Sequence, residues 1–184
     1  VRSTRIGVIS DTHGLLRPEA LRALRGADVI VHAGDVGGAD VLEALRRLAP
    51  VTAVRGNNDH GAWARALRER ETLDVAGARL HVLHDVKALA VDPRARGIDV
   101  VIAGHSHRPS IARRDGVLFL NPGSAGPRRF TLPVTVAMLA ARAGRVRARI
   151  VALTGRAHPS AVLSSRARGV GPQPSSPVAR RRAR

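Results

Sequence analysis

The sequence predicts an α/β fold built in layers, with a functional site along one sheet edge. Within about the first sixty residues, β-branched apolar runs alternate with short amphipathic stretches in the order strand, helix, strand, helix, strand. Each apolar run stops at a cluster of polar residues, Asp, His or Asn among them. Apolar residues make up 44% of the 184, but aromatics only 2%, so the core must be built from Val, Leu, Ile and Ala.

In chain order, Arg5 to Ser10 is the first strand, and its run Ile6-Gly7-Val8-Ile9 delivers Asp11-Thr12-His13 to the C-terminal edge. In open α/β sheets that edge is where ligands bind. Pro18 suits the first turn of a helix with Leu21 and Leu24 as its apolar stripe and Gly26 as its stop. Val29-Ile30-Val31 is a second buried strand, ending in His32-Ala33-Gly34-Asp35. A helix capped at Asp40 or a neighbour runs through Leu48, apolar at Val41, Leu42, Leu45 and Leu48, and Pro50 closes it. Val51 to Val54 is the third strand, followed by Arg55-Gly56-Asn57-Asn58-Asp59.

His60 to Arg70 reads as a helix with Trp63 and Leu67 inward. Thr72 to Val75 and Arg79 to Leu83 form a hairpin around Ala76-Gly77 that ends in His84-Asp85. Lys87 to Val91 is a short helix stopped by Pro93, and Asp99 to Ala103 is a strand running into Gly104-His105-Ser106-His107. Short strands at Ser110 to Arg113 and Val117 to Leu120 lead to Asn121-Pro122-Gly123-Ser124. Val134 to Ala141 and Arg145 to Leu153 make a last hairpin around Gly144, so one domain spans residues 1–154. From Gly155 to Arg184 the composition turns to Gly, Pro, Ser and Arg without periodicity, and a disordered basic tail is expected.

The absence of cysteine excludes a disulfide scaffold and any thiolate metal site. No apolar run approaches the length of a membrane span, and the N-terminus leads into a strand rather than a signal-peptide stretch, so a cytoplasmic protein with no membrane partner is expected. The formal net charge of +17 includes seven arginines and no acids from Gly155 onward. That excess reads either as the composition of a GC-rich genome or as a surface for a polyanion, nucleic acid included. The tail itself reads as a solvated extension ahead of an RNA-, DNA- or membrane-binding one.

Five strand ends offer donors: Asp11 with His13, Asp35, Asn57, His84, and His105 with His107. Imidazoles and carboxylates together suit first-row metals such as manganese (Mn), Fe, Zn or Ni. Seven donors are too many for one ion and suit two that share a carboxylate. Two such cations can clamp a phosphate for in-line displacement. No Gly-rich phosphate loop competes with this reading.

The order Asp-x-His, Gly-Asp, Gly-Asn-x-Asp, His and Gly-His-x-His resembles that of the calcineurin-like metallophosphoesterases. Gly-His-Ser-His and Asn-Pro-Gly-Ser are most similar to their small bacterial and archaeal phosphodiesterase branch. The resemblance spans Arg5 to Leu153 and implies a four-layer α-β-β-α sandwich. It implies that Asp11, His13 and His107 hold one divalent metal and Asn57, His84 and His105 the other, most simply Mn, with Asp35 bridging. It further implies hydrolysis of a small-molecule phosphoester, a phosphodiester before a monoester, by a hydroxide that bridges the ions. Non-catalytic scaffolding on the same fold and nuclease action on RNA or DNA are the alternatives. Oligomeric state is left open, a homodimer included.

Two positions depart from the family. Many relatives carry a His where this chain has Asn58, followed by Asp59; Asn cannot act as a general acid, though its amide could contact a phosphoryl oxygen, and Asp59 would stand behind it. Asp85 replaces a usual Gly and is expected to tighten its loop or to orient His84. Arg128 and Arg129, just beyond Asn121-Pro122-Gly123-Ser124, are candidate phosphate contacts. His32 is expected to be a hydrogen-bonded structural residue, His60 a solvent-facing one at a helix start and His81 a surface or cross-strand one.

Overall fold

The computed structural model describes residues 2–153 and 163–164. The elements run β1 (Thr4–Ile9), α1 (Pro18–Leu24), β2 (Val29–His32), α2 (Ala39–Arg46), β3 (Val51–Ala53), α3 (Ala62–Arg65), β4 (Arg70–Val75), β5 (Ala78–Leu83), β6 (Val100–Ile102), β7 (Ser110–Arg114), β8 (Val117–Asn121), β9 (Thr135–Arg142), β10 (Arg145–Ala152) and β11 (Leu163–Ser164). They build two mixed sheets, one ordered β11-β10-β9-β1-β2-β3 and the other β4-β5-β6-β8-β7. Strands β1, β2 and β3 are mutually parallel, as are β5, β6 and β8. Each parallel trio therefore delivers its C-terminal ends to one edge.

Period-two alternation decides what each face buries. Ile6 and Val8 of β1, Ala137, Leu139 and Ala141 of β9, and Val146 and Ala148 of β10 meet Leu80 and Val82 of β5, Val100 and Ile102 of β6, and Leu118 and Leu120 of β8 in the seam between the sheets. The opposite face of the first sheet, with Ile9, Ile30, Val136 and Met138, packs on Ala20 and Leu24 of α1 and on Val41, Leu42 and Leu45 of α2. Along β10, Arg145, Arg147 and Arg149 point outward between buried Val146 and Ala148, as alternation requires. At Gly7 the helix layer comes so close that a Cβ would stand 2.6 Å from Leu24 Cδ2.

The outer layer of the second sheet is thin. Leu83, Ile98, Val101, Ala103 and Val117 are covered by Leu89, Val91 and Phe119, with one 3-10 turn at Val86–Ala88 in place of the expected helix at Lys87 to Val91. The Asp85 carboxylate accepts from Lys87 N–H at 3.0 Å and starts that turn, so its effect is on the loop. The helix expected over His60 to Arg70 is also shortened, to Ala62–Arg65. Tertiary pairing overrides it: Arg68 O accepts from Arg55 N–H at 2.8 Å, and Arg70 already begins β4. In the β4–β5 hairpin His81 stands opposite Thr72, 2.9 Å from its hydroxyl. The tail expectation falls outside the described residues, apart from β11, which pairs antiparallel with β10. Among the described residues no helix is long and apolar enough to cross a membrane.

The contact at Gly7 makes a prediction about stability. Gly7→Ala should lower the free energy of unfolding by about 1–3 kcal/mol through overpacking against Leu24. Leu24→Ala alone should cost about 2–5 kcal/mol. The double variant should cost clearly less than the sum, because the second change makes room for the first. Urea unfolding of the four proteins checks this, and strict additivity would refute the packing argument.

Candidate metal centre

All seven candidate ligands follow the C-terminal ends of parallel strands: Asp11 and His13 after β1, Asp35 after β2, Asn57 after β3, His84 after β5, and His105 and His107 after β6. To turn from strand to loop with the side chain aimed back over the edge, five of them adopt left-handed backbone. Asp11, His13, Asp35, His105 and His107 have φ between 46° and 65°. Each such residue costs roughly 1–2 kcal/mol, a strain typical of functional loops. Two glycines let the loops close on one another. A Cβ at Gly56 would lie 2.2 Å from Asp35 Oδ1, and one at Gly104 would lie 1.9 Å from Ser10 Oγ.

The donors converge. Asp35 Oδ2 lies 3.4 Å from His84 Nε2 and 3.8 Å from His13 Nε2, and Asp11 Oδ1 lies 3.2 Å from His107 Nε2. Two groups have donor atoms mutually within 4.8 Å: Asp11 with His13 and His107, and Asp11 with Asp35 and His84. Asp11 is common to both, and Asp35 stands between His13 and His84. Asn57 and His105 occupy the outer lip, Asn57 Oδ1 3.1 Å from His105 Nδ1. Buried donor atoms with no protein partner gather here: Asp11 Oδ1, His13 Nε2, His84 Nε2 and His107 Nδ1. Orphaned buried polar atoms are costly, and four converging nitrogen and oxygen donors fit a borderline divalent cation.

Neighbours fix these side chains. The His84 Nδ1–H donates to Ala33 O at 2.7 Å, which leaves Nε2 as the free donor toward Asp35. Asp11 Oδ2 accepts from the Ser10 hydroxyl and, at 3.2 Å, from His105 N–H. Asn121 Nδ2 donates to Gly104 O at 2.6 Å, and Ser124 Oγ donates to Asp11 O at 2.9 Å. Ser10 is a neighbour that motif reading passes over, its only signal being adjacency to Asp11, whereas Asn121 and Ser124 belong to the Asn-Pro-Gly-Ser turn already noted in the sequence. Asn58 donates to Asp35 from its backbone N–H at 2.8 Å and from its side-chain amide at 2.7 Å. One N–H of the Asn58 amide is thus engaged with Asp35. Asp59 is buried and accepts from Gly37 and Gly56 N–H at 2.9 and 2.8 Å, clamping two loops. His32 is buried beneath the site at 2.9 Å from Thr12 Oγ1; that hydroxyl already donates to Val36 O, so it accepts from His32 Nε2–H.

The side chains of the site hold uneven charges. Burial pushes the Asp11 carboxyl up to about 6, with the Ser10 hydrogen bond and His84 only partly opposing it. Burial would also raise Asp35, but the neighbouring His84 imidazole and the hydrogen bonds from Asn58 outweigh it and hold this carboxyl well below the usual range. Burial lowers His107 to about 4 and lowers His13, and the Arg129 guanidinium adds to both shifts. Burial acts against His84 as well, yet Asp35 and the Ala33 carbonyl keep it above its ordinary value. Arg129 therefore lies within electrostatic reach of the His13–His107 side, and Arg128 is exposed on the same loop. On the opposite side, Asn57, His60, His84 and His105 line an open pocket of about 560 Å³.

The calcineurin-like phosphoesterase superfamily domain matches residues 4–144. The chain belongs to that superfamily. A probable metallophosphoesterase of Methanothermobacter thermautotrophicus is 38% identical over 140 residues, 70% of this chain and 81% of the relative. A phosphodiesterase of Methanocaldococcus jannaschii is 27% identical over 138 residues, 65% of this chain and 82% of that protein. Among solved structures, Vps29 of Entamoeba histolytica complexed with zinc superposes with a TM-score of 0.73 at 23% identity, covering 88% of this chain and 99% of that one. This last likeness concerns the fold. The superfamily binds divalent metals, and this chain presents the two candidate ligand groups for them.

Two measurements follow from the geometry. A cation must displace the protons held by Asp11 and His84, so apparent metal affinity should rise with pH by at least about tenfold per unit between pH 5 and 6. Calorimetry at pH 6 in buffers of different ionisation enthalpy should register proton release on metal binding, and no release would contradict these protonation states. Asn58→Ala removes one of the donors holding Asp35 and should weaken metal binding about 10–100-fold in a chelator competition. An unchanged affinity would show that Asp35 needs no such support.

Proposed function

We propose that the chain is a dimetal-dependent phosphodiesterase, in which Asp11, His13 and His107 hold one divalent ion, Asn57, His84 and His105 the other, and Asp35 serves both. The observation that carries this reading is the gathering of unpartnered buried donors at one sheet edge of a chain in this superfamily. Manganese is taken as the first choice, with Fe, Zn and Ni, which the imidazole donors also suit, as alternatives. Bound there, the ions would supply Lewis acidity toward a phosphoryl oxygen and an activated water for in-line displacement.

The chain's own residues do the rest. Asn58 positions Asp35 and brings no proton, so the departing group must be a stable anion or be protonated from elsewhere. Arg129 lies on the His13–His107 side, where its guanidinium can neutralise and orient a non-bridging phosphoryl oxygen, with Arg128 beside it. The pocket past Asn57, His84 and His105 gives space for a second ester substituent, which favours diesters over monoesters. A second reading is protein-interaction scaffolding on the same fold; the likeness to Vps29, with a TM-score of 0.73, concerns the fold and is compatible with either reading. The intact donor set weighs for the enzyme.

With Mn²⁺ added, bis(p-nitrophenyl) phosphate should be hydrolysed faster than p-nitrophenyl phosphate. Asp35→Asn and His105→Ala should each lower kcat/KM for the diester by more than about a hundredfold. Metal analysis of the same samples separates the two readings. Wild-type protein that holds two ions yet turns over no faster than Asp35→Asn would leave the scaffold.

A further inference from the structure

The chain uses three aromatic residues in all: Trp63, Phe119 and Phe130. Trp63 packs against the helix-side core, and Phe119 against the outer core of the second sheet with the Arg114 guanidinium 5.0 Å over its ring. Phe130 does neither, being 93% exposed. Its backbone is left-handed as well, with φ 51°. Outside the metal centre the other non-glycine residues of that kind among the described residues are Ala76, Asp115 and Ala143, each followed by Gly in a two-residue hairpin turn between paired strands. Phe130 is followed by Thr131 and turns no hairpin. A bulky residue that is strained and also leaves its ring in water adds nothing to folding, and such outliers cluster where ligands bind.

Its position relative to the metal centre is fixed by the segment before it. Ser124 Oγ and Gly126 N–H donate to Asp11 O at 2.9 and 3.2 Å, and Arg17 Nε donates to Gly126 O at 3.1 Å. Gly126 lies so close to the Thr12 carbonyl that a Cβ would stand 2.2 Å from its oxygen. From this anchor the chain passes through Arg128 and Arg129 to Phe130, and Leu132 N–H closes the turn on Arg129 O at 3.1 Å. Neither arginine pairs with a carboxylate among the described residues, so two unpaired guanidinium groups precede an unpacked ring four positions past the Gly126 anchor.

We infer that Arg128, Arg129 and Phe130 form the subsite for the nucleoside part of a nucleotide phosphodiester, the Phe130 ring stacking on the base while the arginines hold its phosphate at the His13–His107 side. This names the substrate class of the proposed phosphodiesterase and rests on that reading. Cationic side chains interleaved with an open aromatic ring are how proteins hold single nucleotides without an enclosed pocket. An acyl chain would need a continuous apolar wall, whereas Arg128, Arg129 and Thr131 around Phe130 are polar and exposed.

The test uses the full chain with Mn²⁺ and two esters with the same leaving group, thymidine 5′-(p-nitrophenyl phosphate) and methyl p-nitrophenyl phosphate. The wild type should prefer the nucleoside ester in kcat/KM. Phe130→Ala should shrink that preference by on the order of tenfold, and Phe130→Trp should keep it. In parallel, 2-aminopurine riboside 5′-monophosphate should be quenched on stacking by the wild type and Phe130→Trp, and not by Phe130→Ala. A preference unchanged in Phe130→Ala overturns the subsite. Failure of the wild type to hydrolyse either ester overturns the phosphodiesterase reading instead. Quenching then decides the subsite alone: loss of quenching in Phe130→Ala supports it, and its absence in the wild type or persistence in Phe130→Ala refutes it.

Discussion

The carboxylate of Asp11 is the point at which the structure is tied together. It is fully buried and φ-positive, and its backbone N–H donates to Gly34 O at 3.0 Å while its carbonyl accepts from Ser124 and Gly126. Oδ2 accepts from Ser10 and from His105 N–H. One residue thus joins the loops after β1, β2, β6 and β8, and so joins the two sheets at the site edge. Only Oδ1 is left without a partner, 3.2 Å from His107 Nε2. A buried carboxylate so constrained cannot turn away to find water. A cation is the natural way to satisfy it.

That constraint explains an expensive arrangement. Five residues in the left-handed region and several orphaned donors work against the fold, and the apolar seam between the sheets must offset them. Leu80, Ile102, Leu118, Leu120 and Leu139, all nearly inaccessible, supply that seam without any aromatic residue. Strain held by a rigid scaffold keeps the donors converged before a ligand arrives. The helical layer adds to the rigidity on one side only. Beyond the second sheet a single 3-10 turn and a loop suffice, because the Asp85 cap and the Leu89 and Val91 contacts hold them.

The centre is unequal on its two sides. His13 and His107 are kept neutral by burial, with Arg129 adding to it, whereas His84 is held up by Asp35 and faces the open pocket with Asn57 and His105. Anionic oxygen is therefore favoured on one side and bulk accommodated on the other. Asn58 accounts for the chemistry that such a site would prefer. With its amide on Asp35, it steadies that carboxylate and leaves proton delivery to water, to the pocket or to the leaving group itself.

Local chemistry made much of this legible in the sequence. Short β-branched runs form strands whatever their partners, and the polar residues that stop them lie at strand ends by construction, so Asp11, His13, Asp35, Asn57, His84, His105 and His107 could be found in order. Glycines at hairpins and the proline at α1 act through their own backbone and were equally readable. Partners across the fold were not. Ser124 meets Asp11 across 113 positions, and the Asn58 amide reaches Asp35 rather than outward. Likewise Arg68 was drawn from a helix-like stretch to pair with Arg55, which truncated α3. Sequence periodicity reports which side of an element is apolar. Which side chain fills which hydrogen bond depends on loops brought together by sheet packing, and only the tertiary structure settles that.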